Sequence, residues 1–207
     1  MGAAEHAAEA ARDWREDPEA AGARMAEVVN QWLAGLEGLR WRQLGKPLSI
    51  VATAPETKST PREDIWPRPA SGSHRDAWRA RWDSLRNLAI GPPPTDGFAA
   101  QPAVAPAVVS LEAMLRGLGR NGDADAWAKA VMTADQAMQA LTREPSAPAV
   151  QPMDPALSSP QGANEALPPA PAMKAAVTAL DEVRRFMQEK VAPALDVKLG
   201  FSDADGD

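Results

Sequence analysis

The 207-residue sequence predicts an all-α fold, an antiparallel bundle of about four main helices with extra short helices and long Pro-rich connections. Three observations carry that prediction. Large apolar residues recur at alternating spacings of four and three in several segments, the period of a helix packing lengthwise on neighbours. Alanine is abundant, which favours helix and permits close helix contact. The 20 prolines fall mainly between the periodic segments, and no period-two strand pattern competes. Such helices solve their burial problem by packing on one another.

A short helix over about Ala4 to Arg15 is expected from alanine content alone. From Pro18 to Leu44 the seam is Met25, Val29, Trp32, Leu36 and Leu39, with Asp17 as N-cap and proline at the first helical position. Gly45 and Pro47 are read as its stop. Between Lys46 and Gly72, prolines 47, 55, 61, 67 and 69 predict a long connection in which Trp66 is an anchoring contact. Helix resumes near Ser73 with Trp78, Trp82, Leu85 and Ala89 on one face and ends at Gly91-Pro92-Pro93-Pro94. A short helix bearing Val108, Leu111, Leu115 and Leu118 stops at Gly119 and Asn121-Gly122. Asp123 is read as the cap of the next, whose seam is Trp127, Val131, Ala134, Met138 and Leu141. Residues 145–171, rich in Pro, Ala, Ser and Gln, read as a flexible loop. The last helix, Met173 to Val191, turns Val177, Leu180, Val183, Met187 and Val191 inward, with Lys174, Asp181, Arg184 and Glu189 outward. No internal repeat is visible, and 1–207 reads as one domain.

The net charge of -6 disfavours a general nucleic-acid binder, since no basic run gathers the cations that phosphate contacts need. Zero cysteines exclude disulfides and thiolate chemistry without fixing the compartment. No stretch is apolar enough to span a membrane, and the first residues lack the basic and apolar regions of a secretory signal. A Gly-rich phosphate loop and a zinc-spaced Cys/His set are both missing from the sequence.

Three segments, taken in order, are Gln31 to Leu48 (QWLAGLEGLRWRQLGKPL), Arg62 to Ile90 with Ser71-Gly-Ser-His and its Trp/Leu helix, and Leu195 to Asp207 ending LGFSDADGD. Together they resemble the C-terminal half of the imelysin family. The resemblance implies an exported or lipid-anchored protein of the bacterial envelope, in the periplasm or at the outer membrane, built as two packed helical bundles. It implies a link with iron-regulated uptake, and for some members a metallopeptidase assignment. The implied partners are an N-terminal half or second helical bundle and iron-transport components. On this reading Met1 is internal to a longer gene. If Met1 is genuine, the expectation is a cytoplasmic half-protein.

The family's hallmark is Gly-x-His-x-x-Glu, where imidazole and carboxylate one turn apart converge on a metal, iron or another divalent ion. The counterpart here is Ala4-Glu5-His6-Ala7-Ala8-Glu9, with Ala4 in the glycine position, so His6 and Glu9 are the candidate ligands. In an Ala/Glu-rich helix the pair also reads simply as a solvated face. His74 reads as an exposed first-turn residue, and Asp203, Asp205 and Asp207 echo the start of a calcium loop without its later ligands. Trp66, Trp78 and Trp82 read as core, with a ligand pocket beside Arg75 or Arg79 as the other option; Arg62 and Glu63 read as surface. Three functions follow: a non-catalytic envelope binding protein for iron or haem, part of a metal-dependent peptidase whose motif lies elsewhere or is degenerate, and a structural helical scaffold.

Overall fold

A computed structural model describes residues 17–53, 74–92, 109–143 and 170–200. All regular structure among them is helical. The elements are α1 (Pro18–Glu37), the π-helical segment π1 (Gly38–Gly45), α2 (Lys46–Thr53), α3 (His74–Ile90), α4 (Leu111–Gly117), α5 (Asn121–Thr142), α6 (Ala170–Phe186), the π-helical segment π2 (Met187–Val191) and α7 (Ala192–Ala194). Because α1, π1 and α2 are continuous, as are α6, π2 and α7, four long helices form the bundle, with α4 as the short extra one.

Cross-helix contacts fix an up-down-up-down order. Trp32 of α1 donates from Nε1 to the Leu85 carbonyl of α3 at 2.9 Å, and Arg81 lies against Gly38, so α3 runs antiparallel to α1. Trp127 donates to the Ala89 carbonyl at 3.0 Å, Trp82 to Asp135 Oδ1 at 2.8 Å and Arg75 to the Arg143 carbonyl at 2.9 Å, which sets α5 antiparallel to α3. The Arg40–Asp181 pair and the Asn30 contacts with Lys198 and Gly200 set α6 antiparallel to α1.

The core follows the expected seams: Val29, Trp32, Leu36 and Leu39 from α1 and π1, Trp78, Trp82, Leu85 and Ala89 from α3, Trp127, Val131, Ala134, Met138 and Leu141 from α5, and Leu180, Val183, Met187 and Val191 from the last helix. At its centre the Trp32 and Trp127 rings lie 5.6 Å apart and tilted, and Phe186 sits 5.9 Å from Trp127. Tilted aromatic pairs at this separation add to their area burial through quadrupole attraction.

The chain starts as expected, with Asp17 Oδ1 accepting from Ala20 N at 3.0 Å ahead of Pro18. It does not stop where expected. Gly45 and Pro47 lie inside one helix that runs on to Thr53. The reason is visible in the hydrogen bonds: Lys46 N donates to Trp41 O, an i to i-5 bond, so the ladder has widened to π register just before the proline whose N–H is missing. The last helix repeats the device, with Ala192 N donating to Met187 O immediately before Pro193.

Smaller departures have local causes. Asp123 is not the cap; α5 begins at Asn121 and the Asp123 carboxylate pairs with Arg120 at 2.6 Å. Leu118 is 57% exposed because α4 ends at Gly117. Asp181 is half-buried, drawn in by Arg40. Within 145–171 only Ala170 and Pro171 are described, and they open α6. The expected Ala4–Arg15 helix and Trp66 lie outside the described residues.

Candidate functional site

Two segments far apart in sequence, the long first helix and the stretch from Lys198 to Gly200, meet at Asn30. Its Nδ2 donates to the Lys198 carbonyl at 3.4 Å, and its Oδ1 accepts from Gly200 N at 3.1 Å. The chain reaches Asn30 by a reversal after α7, where Leu195 N donates to Val191 O at 3.0 Å and Val197 N to Ala192 O at 2.9 Å. Asp196 takes a left-handed conformation there, with φ of 53°, which Asp tolerates better than most residues. Buried Val197 pins the reversal to the bundle.

Further along the same helix, Arg40 meets α6 through a charged network. Arg40 bridges Glu37 and Asp181, the latter at 3.1 Å; Asp181 also faces Arg184 at 3.6 Å, which donates to Gln188 Oε1 at 3.3 Å. Partial burial works against the Arg40 charge, but the Glu37 and Asp181 carboxylates outweigh it and hold its pKa above the usual arginine value. The guanidinium therefore stays charged and fixes π1 against α6. In the same segment, Gln43 Oε1 is buried without a hydrogen-bond partner among the described residues.

The outer side of π1 carries Trp41, which is 48% exposed. Its ring lies over Gly45, where an added Cβ would come within 2.8 Å of Trp41 Cε3 and 3.0 Å of the Arg40 carbonyl. Glycine is thus needed for space. Arg42 and Lys46 are exposed nearby, and Arg81 approaches Gly38 with its Nη1 3.7 Å from where a Cβ would stand.

Of the residues singled out from sequence, Trp78 and Trp82 are core. Arg75 is buried and donates to the Arg143 carbonyl at the C-terminal end of α5, while Arg79 is exposed. His74 is half-buried, not exposed, because its ring stacks on Trp78 with centroids 6.2 Å apart. His6, Glu9, Arg62, Glu63, Asp203, Asp205 and Asp207 lie outside the described residues. Among the described residues no three His, Asp or Glu converge in a metal-holding group, so this part of the chain does not fit the metal that the resemblance implies. No described helix is long and apolar enough to cross a membrane. Asn30 escaped the sequence reading because a half-exposed helical Asn carries no periodic signal. The π segments did leave one: Lys46-Pro47 and Ala192-Pro193 interrupt otherwise helical runs.

No family model, no curated protein and no solved structure matches the chain.

Proposed function

We propose that this chain is an imelysin-like helical bundle of the bacterial cell envelope, serving as a binding component in iron or haem uptake. The observation that supports the reading best is the Asn30 junction. The helix carrying QWLAGLEGLRWRQLGKPL and the segment leading into LGFSDADGD, the two stretches with the most family character, hold each other through both Asn30 side-chain atoms. A side chain that joins them in this way is what one unit of structure built from two remote segments requires.

On this reading the work of the described residues is recognition and support. A metal, if the native protein carries one, would supply Lewis-acid or redox chemistry from donors outside the described bundle, of which His6 and Glu9 are the pair this sequence offers. The partner is a second helical bundle, from the same protein or another.

The test is immunodetection in source cells, with an antibody against residues 173–200, across envelope and cytosolic fractions from iron-replete and iron-starved cultures. An envelope location with increased abundance on iron starvation is expected. A cytosolic protein indifferent to iron overturns the proposal.

A further inference from the structure

The positive-φ positions among the described residues each follow the end of a helix, and they are not alike. Gly91 follows α3 at φ 86° and Gly119 follows α4 at 72°, whereas Asp196 follows α7 at 53°. The endings of α4 and α7 are the same motif. Gly119 N donates to the Arg116 carbonyl at 2.9 Å and Arg120 N to the Leu115 carbonyl at 2.9 Å; Asp196 N donates to the Pro193 carbonyl at 3.2 Å and Val197 N to the Ala192 carbonyl at 2.9 Å. In each, bonds reaching three and five residues back close the helix through one left-handed residue. Val197 and Ala192, the positions whose side chains meet in this motif, are both buried. Glycine takes the left-handed conformation without steric cost, while the Cβ of Asp crowds the carbonyl that follows it. Of two matching closures, the one that carries the chain to Asn30 is therefore the weaker.

We infer that residues 195–200 form a hinged strap, which swings off α1 about Asp196 while the bundle stays folded. Beyond the hinge, Lys198 and Gly200 hydrogen-bond to α1 through Asn30 at 3.4 and 3.1 Å, and both bonds are exposed, where water competes for each group. Val197 is buried and Leu199 half-buried, so a closed strap still covers apolar surface. Opening gives up those two side chains and two exposed bonds. Opening any long helix instead uncovers a whole seam, such as Trp127, Val131, Ala134, Met138 and Leu141 of α5. This difference in cost lets the strap move alone. Its swing bares the α1 surface at Asn30, whose helical neighbours Ala26 and Leu33 are half-buried apolar residues. One end of the bundle is thus covered or uncovered by a segment of the chain itself. The inference does not depend on the proposed role in iron or haem uptake.

Amide hydrogen exchange of the full chain, followed residue by residue by NMR, is the test. The amides of Val197 and Gly200 should exchange about a hundredfold or more faster than those of Val131 and Val183 in the core. Their rates should hardly change in low urea, because little surface is exposed when the strap opens, while the core amides accelerate steeply. Asp196→Gly should slow Val197 and Gly200 by about three- to tenfold. Asn30→Ala should speed them. The converse change, Gly119→Asp at a position with open space around it, should speed Arg120 by a similar factor, which ties the effect to the residue at the left-handed position. If Val197 and Gly200 match the core amides in rate and urea dependence, the strap opens only with the bundle and the inference is overturned. It is overturned equally if Asp196→Gly or Asn30→Ala leaves them unchanged, or if they exchange at free-peptide rates in the unaltered chain.

Discussion

Trp82 and Arg86 on α3 share one acceptor, Asp135 of α5, whose Oδ1 takes the indole N–H at 2.8 Å while Oδ2 faces the guanidinium at 3.4 Å and accepts from Gln139 at 2.9 Å. Truncating that carboxylate strands a buried donor and a half-buried cation at once. Asp135→Ala should therefore destabilise by about 2–4 kcal/mol in urea unfolding, and Asp135→Asn, which keeps an acceptor, by clearly less. A second prediction contrasts two glycines. Gly45→Ala drives a Cβ into the Trp41 ring and the Arg40 carbonyl, and the carbonyl cannot swing aside, so a loss of about 1–3 kcal/mol is expected. Gly22→Ala meets nothing within 4 Å on an exposed helical position and should stabilise by about 0.4–1 kcal/mol. The tryptophan seam was legible in sequence because Trp32, Trp78, Trp82 and Trp127 fall on helical spacings. The acceptors of Trp32, Trp127 and Trp82, namely the Leu85 and Ala89 carbonyls and Asp135, come from other helices and leave no local trace.

The helices themselves separate what periodicity reveals from what it hides. Their starts at Pro18 and near His74 and their seams follow from capping and spacing. The ends at Ile90, before Gly91-Pro92, and at Thr142, before Pro145, follow as well, but Pro47 and Pro193 stop nothing, because the helix there widens ahead of the proline. A π segment holds one residue more than the α-helix it interrupts, so the face beyond it keeps its orientation only with that residue in place. Removing exposed Glu189 from π2 should therefore return the segment to α register, with Val191, Ala192 and Val197 still inward and helix content by circular dichroism unchanged. Removing exposed Gln136 from α5, which has no such slack, turns everything beyond it by about 100° and takes buried Met138, Leu141 and Thr142 out of the core. That variant should unfold at markedly lower urea. Equal tolerance of both deletions would contradict the role given to π2.

At the scale of the whole molecule, the all-helical antiparallel bundle was readable because seams with no strand pattern and short apolar reach per alanine admit few other packings. The candidate site was not, since it joins Asn30 to residues about 170 positions away, and a through-space pair of that kind has no signature in a single sequence. The central proposal is the envelope binding role. The direct test is equilibrium titration of the native protein, captured from source cells through residues 173–200, with haemin and separately with ferric citrate. Saturable, stoichiometric binding of one of them, retained through repeated washing and competed by the unlabelled ligand, is the expected result. Absence of saturable binding to either, in protein that circular dichroism shows to be folded, would contradict the account.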